Sequence, residues 1–369
     1  LCSYSESIRF FRYKRFACIR IFIKKAFFEV ISFYDGLCLI SFKVFFVFTQ
    51  NRGGLFFKDL CIDPHHSPKS KFAFLSHAHS DHVKLSKRTE FLATSETIDL
   101  VRSRFGEANF KSVSFNKKNK LDDFEFELKP NGHILGSAQA KIFSDGKDFV
   151  FSSDFRLQNS ILFKGSEVLN ADTLVLETTF GSPEYVFPSQ GEVISEMISW
   201  IEKSAKSGLV LLSGYSLGKA QELTRISNEA GFTPVVHESI FELNDVYKKH
   251  GVKLGNYEKL DHNLKDFSVL IMPPQLVDRH LFPTLEYFDK RKIFSALATG
   301  WDRRGAFDKI FKLSNHADFN DLIEYVKLSN PKLVLTDHGF CEDFARKLNK
   351  LGFNAKALKH HHQQLMNEF

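Results

Sequence analysis

The chain has 369 residues, 43% hydrophobic and 25% charged, a globular composition long enough for two domains and unlike that of a disordered chain. Five scattered cysteines (Cys2, Cys18, Cys38, Cys61, Cys341) form no C-x-x-C pair, which excludes a disulfide scaffold and a cysteine zinc finger and fits a reducing, cytoplasmic compartment. Of the net charge of +6, five units fall in residues 1–50, so the body is nearly neutral and must meet any polyanion through local patches and metal ions.

Residues 1–43 form a basic, Phe-rich leader that includes Phe10, Phe11, Phe16, Phe27 and Phe28, and the first methionine is Met197. The expectation is upstream sequence read as protein, with no functional residue placed there. Residues 37–48 are apolar but interrupted by Lys43, and no apolar run reaches the ~18–20 residues of a membrane span. From about residue 44 an α/β pattern begins. Lys71–Leu75 predicts a buried strand running into a histidine-rich loop, and Glu90–Ala93 a strand before a helix near Ser95–Phe105. Hairpins are expected around Asp122–Lys129 and between Gln139–Phe143 and Asp148–Phe151, the latter turning at Asp145-Gly146. Asp172–Leu176 reads as a strand and Ser189–Lys206 as a helix. Strands at Leu209–Leu212, Pro234–Val236, Val269–Met272 and Lys292–Leu297 then alternate with helices from Leu217 and near Phe241–His250, which suggests a small parallel sheet. The end predicts a strand near Phe311–Leu313, a helix Asp318–Leu328, a strand Lys332–Leu335, a helix Cys341–Leu351 and a strand Ala355–Leu358.

The stretch Ser76-His77-Ala78-His79-Ser80-Asp81-His82 carries the chemistry. An H-x-H-x-D-H pattern arises by chance roughly once in a thousand such chains, so a polar surface loop is the weaker reading. Imidazole suits zinc, and imidazole with carboxylate suits a second divalent ion beside it. On an extended segment His77 and His79 point the same way and can grip one ion, while Asp81 and His82, past the bend, can face another. His65 and His66 are assigned to a surface loop, and His360-His361-His362 to a solvated C-terminal segment.

This stretch resembles the metallo-β-lactamase superfamily. Ile62-Asp63-Pro64, Gly132-His133-Ile134-Leu135-Gly136-Ser137 and Ser153-Asp154-Phe155-Arg156 follow in the superfamily's order. Leu176-Glu177-Thr178-Thr179-Phe180-Gly181, Ser314-Asn315-His316-Ala317-Asp318 and Thr336-Asp337-His338-Gly339 are similar to the motifs of its β-CASP nuclease branch. The resemblance implies an α/β fold, a metallo-β-lactamase αββα sandwich over residues 44–181 and 304–369, with a smaller α/β domain inserted at 182–303. It implies two zinc ions, with manganese as an alternative. His77, His79 and His133 would hold one, Asp81, His82 and His338 the other, and Asp154 would bridge them. His316 would be the general acid, oriented by Glu177, with Asp63 bonded to a ligand imidazole. The expected activity is hydrolysis of single-stranded RNA or DNA by two-metal activation of water, exonucleolytic and serving RNA processing or DNA repair. A small-molecule metallo-hydrolase and a non-catalytic nucleic-acid-binding subunit are the alternatives.

Glu177 and His338 follow the pattern of RNA-processing members, whereas Thr178-Thr179-Phe180 with Pro183, Tyr185 and Phe187 resembles the DNA-repair branch. The mixture is most similar to short prokaryotic mRNA 3′-end processing factor-like and ligase-associated exonucleases. Gly214 to Lys219 places glycines and a lysine at a helix start, where phosphates are attracted. Expected substrate contacts are therefore Ser137, Ser216, Lys219, Arg303 and Arg304, with Tyr215, Phe180 or Trp301 available to stack a base. No membrane partner is expected, and a homodimer is allowed.

Overall fold

The computed structural model describes residues 8–13, 16–23, 26–27, 48–51, 54–261, 267–278, 280–302 and 307–358. The chain divides into two compact units, Leu1–Thr49 and Gln50–Phe369. In the first, Ile8–Tyr13 and Phe16–Ile23 pair antiparallel, and Phe22–Ile23 pair with Ala26–Phe27.

Next in the chain is a six-stranded sheet, β1 (Thr49–Asn51), β2 (Gly54–Phe57), β3 (Leu60–Ile62), β4 (Phe72–Phe74), β5 (Glu90–Ala93) and β6 (Asn109–Ser112), in chain order. From β3 onward its neighbours are parallel. Helix α1 (Ser95–Phe105) buries Ile98 and Val101 against Phe91 and Ala93 of this sheet and is capped by the Thr94 side chain.

A second sheet follows, with β7 (Asn119–Leu121), β8 (Phe124–Pro130), β9 (Ala138–Ser144), β10 (Lys147–Phe151) and β11 (Thr173–Glu177) side by side. The β9–β10 hairpin turns at Asp145-Gly146 with both residues at positive φ, the mirror-image turn that Asp-Gly favours. Phe57 meets Phe124 and Phe149 at ring-centroid distances of 5.3 and 5.0 Å, so the two sheets pack face to face.

The chain then builds a third, wholly parallel sheet. Its elements are α2 (Gln190–Ala205), β12 (Leu209–Ser213), α3 (Lys219–Glu229), β13 (Val235–Val236), α4 (Glu238–Lys249), β14 (Glu258–Lys259), β15 (Val269–Met272), α5 (Leu281–Asp289), β16 (Ile293–Ala298) and β17 (Lys309–Phe311). The spatial order is β14-β13-β15-β12-β16-β17, with α2 and α3 on one face and α5 on the other. This is the parallel sheet the alternation predicted. It runs on through β17, past the boundary at residue 303. Ile271, fully buried in β15 between β12 and β13, is a core position of this sheet. Ile271→Ala is expected to lower unfolding free energy by about 3 kcal/mol, read as a drop in the urea midpoint at unchanged slope.

Helix α6 (Phe319–Ser329), β18 (Leu333–Asp337), α7 (Cys341–Lys350) and β19 (Ala355–Ala357) return to the second sheet. There β18 pairs parallel with β11 in a register that sets Glu177 opposite Asp337. Leu322, Tyr325, Val326, Phe344 and Leu348 close its outer face. The core is thus a helix–sheet–sheet–helix sandwich carrying a parallel α/β insert. No described helix is long and apolar enough to cross a membrane.

Candidate metal centre

The chemistry-bearing side chains gather where parallel strands end, since a strand's carboxyl end hands over to a loop free to aim its side chains. Asp63 follows β3, Ser76 to His82 follow β4, Asp154 follows β10, Glu177 ends β11 and His338 follows β18. Asp63, Ser153 and His338 hold left-handed backbone at φ of 42°, 54° and 59°. Such strain in non-glycine residues persists only where surrounding contacts fix it.

Each of four histidines has its far nitrogen engaged. His77 Nδ1 lies 2.9 Å from Ser76 Oγ, which itself donates to Asp63 Oδ2 at 2.5 Å. His82 Nδ1–H donates to the same Asp63 oxygen at 2.9 Å, and His133 Nδ1–H to the Asn315 carbonyl at 2.9 Å. His79 Nε2 faces the Leu217 carbonyl at 3.3 Å. These bonds fix the tautomers so that lone pairs on His77 Nε2, His82 Nε2, His133 Nε2 and His79 Nδ1 turn inward.

The inward atoms surround Asp154. Its Oδ2 lies 3.5 Å from His77 Nε2, 3.4 Å from His82 Nε2 and 3.8 Å from His133 Nε2. His79 Nδ1 and His133 Nε2 are 3.1 Å apart, and Asp81 Oδ2 is 3.5 Å from His82 Nε2. The ligand atoms of His77, His79, His133 and Asp154 all lie within 4.8 Å of one another. Donors about 2.1 Å from a tetrahedral ion are ~3.4 Å from each other, which is the spacing seen here. Most of these separations are too long for hydrogen bonds, and the buried Nε2 atoms of His77 and His82 have no hydrogen-bond partner among the described residues. The donor set therefore fits a divalent metal ion.

Electrostatics agrees for His77, His79 and His133. Burial, reinforced by neighbouring imidazoles, holds His77 and His133 well below the usual imidazole value, and burial pushes His79 down to about 4. These three stay neutral and keep the lone pairs a cation requires. At His82 burial acts downward, but Asp81, Asp154 and Asp63 outweigh it and raise the imidazole. Asp154 is held well below the carboxylate range because His82, His316 and His77 outweigh its desolvation.

Beside the cluster stands a second pair. His316 Nδ1–H donates to Glu177, 3.1 and 3.2 Å from its two oxygens, and the Glu177 carboxylate is fixed by the Phe155 amide at 2.9 Å. Glu177 is buried, while His316 keeps 22% of its side chain exposed and packs 4.6 Å from His133, centroid to centroid. Burial acts to lower the His316 pKa, but Glu177 and Asp154 reverse that and raise it.

Comparison with known proteins finds the following likenesses. Residues 304–358 match the Zn-dependent metallo-hydrolase RNA specificity domain. The chain is 33% identical over 306 residues to a probable DNA ligase of Opitutus terrae, covering 79% of this chain and 29% of that protein. It is 22% identical to an RNase J-like protein of Methanocaldococcus jannaschii, over 72% of this chain and 80% of that one. A crystal structure of a protein of unknown function from Enterococcus faecalis superposes with a TM-score of 0.57 at 14% identity, covering 97% of this chain and 99% of that chain, and shows the fold. These matches support a likeness to the β-CASP branch of the metallo-β-lactamase superfamily. The chain spans under a third of the length of the ligase-named relative.

The expected residues fall as follows. His77, His79, His133 and Asp154 converge, with Asp63, Asp81 and His82 beside them. His338 stacks on His82 at 5.3 Å and its Nδ1 faces Asp337 at 3.3 Å. Burial pushes its imidazole down, but Asp337 leads a net rise to about 9. His65 is half-buried with its ring 6.2 Å from that of His338, so it edges the centre, while His66 stays exposed.

The expected substrate contacts divide. Ser137 is buried, and its hydroxyl bonds Asn131 Oδ1 at 2.5 Å and the Ile134 amide at 3.0 Å, so it closes its own loop instead of facing a phosphate. Lys219 is also buried, with Nζ donating to the Leu313 carbonyl at 2.6 Å, and burial pushes its ammonium down to about 7. Ser216 is half-buried at 3.4 Å from Ser239 Oγ. Phe180 is buried, whereas Trp301, 4.6 Å from it, is half-buried. Arg303, Arg304 and His360 to His362 lie outside the described residues, as does most of the leader.

Sequence reasoning missed Arg104, whose guanidinium bonds the Ala78 carbonyl within the histidine loop, and gave no role to buried Glu222 or to Arg156 and Asn315, buried polar residues inside quoted motifs. Gly339 has φ of +51°, and a Cβ there would meet Thr178 O at 2.4 Å and Thr179 Cα at 2.5 Å. Gly339→Ala is therefore expected to cost about 2 kcal/mol or more in thermal unfolding and to displace His338.

Proposed function

We propose that the chain is a zinc-dependent phosphodiesterase that hydrolyses single-stranded nucleic acid from an end. The observation that carries this reading is a ring of inward imidazole nitrogens around Asp154 with the hydrogen-bonded His316–Glu177 pair at its rim. In this reading His77, His79 and His133 would hold one divalent ion, Asp81, His82 and His338 would hold a second, and Asp154 would serve both. Such ions supply Lewis acidity toward water and the phosphodiester. Asp63 keeps His82 in the tautomer that offers Nε2, and Ser76 does the same for His77. Glu177 accepts the His316 Nδ1–H and its charge favours the imidazolium, whose Nε2 proton would go to the departing oxygen. The name of the matched domain supports RNA as substrate, and the ligase-named relative supports a DNA context.

The test is degradation of matched 5′-labelled RNA and DNA oligonucleotides by the purified protein, with and without chelator. Chelator-sensitive shortening of either is expected, and the ratio of rates assigns the sugar. Turnover of nitrocefin or a thioester with neither oligonucleotide cut would overturn the reading in favour of a small-molecule hydrolase.

A further inference from the structure

A chain of buried contacts runs from the inserted segment to His133. The His133 Nδ1–H bond to the Asn315 carbonyl joins residues 182 positions apart. The Asn315 side chain is itself held, since its Nδ2 donates to Glu222 Oε2 at 3.2 Å and lies 3.5 Å from the His133 carbonyl. Glu222 sits in the first turn of α3 and is 1% exposed. Its other oxygen accepts from Arg156 Nη2 at 2.9 Å. Arg156, equally buried, also donates to the Gly132 carbonyl at 3.0 Å and the Ser314 carbonyl at 3.1 Å, the residues just before His133 and Asn315. The start of α3 approaches the same loop so closely that a Cβ on Gly218 would meet Ile134 Cγ2 at 2.5 Å.

A buried ion pair contributes little net stability compared with an apolar pair of similar volume, so stability alone does not account for one at this point. Its geometry does something an apolar pair cannot. The two carboxylate oxygens tie Arg156 to Asn315, and the guanidinium ties together the two segments that must meet for the His133–Asn315 bond to form. We propose that Glu222 is a positioning residue of the metal centre, holding Asn315 so that its carbonyl keeps the His133 Nδ1 proton and leaves Nε2 aimed at the ion. The inserted segment thereby sets ligand geometry while donating no ligand. This rests on the reading of His133 as a ligand.

The experiment uses the full chain stripped by chelator and titrated with zinc and, separately, with cobalt(II). It compares wild type, Asn315→Ala, Glu222→Gln and the double variant at a temperature where circular dichroism shows each folded. Asn315→Ala leaves the Arg156–Glu222 pair intact and should bind zinc ~10–100-fold more weakly, with a changed visible cobalt spectrum. Glu222→Gln should weaken zinc in the same direction. The double variant should be no weaker than Asn315→Ala, because both act through one link. Unchanged zinc affinity and cobalt spectrum in Asn315→Ala, with only a lower melting temperature, would overturn the proposal and leave the centre standing. A wild type that takes up neither metal would overturn the centre and the proposal together. If Glu222→Gln does not fold, Asn315→Ala decides.

Discussion

Asp154→Asn is expected to leave the purified protein without tightly held metal and to slow cleavage on the order of 10³-fold, ~4 kcal/mol of barrier. The reason is the position of one oxygen. Asp154 Oδ2 lies within 3.4 to 3.8 Å of three inward Nε2 atoms, so it is the only anionic donor common to His77, His82 and His133 among the described residues. An amide keeps the shape but removes the charge that offsets a cation in a buried site. It also risks turning N–H donors toward atoms that need a positive partner. Asp63→Ala should be milder, weakening metal ~10–100-fold, because Asp63 orients His82 and Ser76 while Asp154 stands among the lone pairs. Metal analysis of both variants, set beside oligonucleotide cleavage, checks the order. Stoichiometric metal and near-native cleavage in Asp154→Asn would remove this aspartate from the centre.

The histidine loop was legible because its donors are local, with one bend of chain carrying His77, His79, Asp81 and His82. The Asp145-Gly146 hairpin and the parallel insert were legible for the same reason, turn chemistry and strand–helix alternation being short-range signals. The bond from His133 to Asn315 and the Arg156–Glu222 pair were not, since both join segments that only the tertiary fold brings together. Ser137 and Lys219 show a different limit. Their types suit phosphate, but a sequence does not say which way a side chain turns, and both turn inward. Several elements escaped the sequence reading, β1, β2, β6, β14 and α5 among them, two of these for want of a signal. Helix α5 begins at Leu281-Phe282-Pro283 behind His280, which makes no side-chain cap, and β6 is a largely exposed strand without apolar alternation.

The same contrast between local and distant contacts makes His316 a sharp test of mechanism. His316→Ala is expected to keep its metal and to lose about 10²- to 10⁴-fold in kcat, the range for removing a positioned general acid. His316 lies beside the cluster with Nδ1 engaged by Glu177, so its loss leaves the inward lone pairs in place. The pH profile carries the sign. Glu177 and Asp154 overcome burial and raise the His316 pKa above its ordinary 6.5, so the acid form is present below that raised value and lost as pH rises through it. Wild-type kcat should therefore fall on the alkaline side, and this limb should vanish in His316→Ala. Glu177→Gln removes an anion that favours the imidazolium and should move the limb to lower pH without stripping metal. A phosphodiester with a p-nitrophenolate leaving group needs little protonation as it departs, so His316→Ala should hydrolyse it nearly as well as wild type. Equal damage on activated and unactivated substrates would mean that His316 supports the centre's structure and carries no proton.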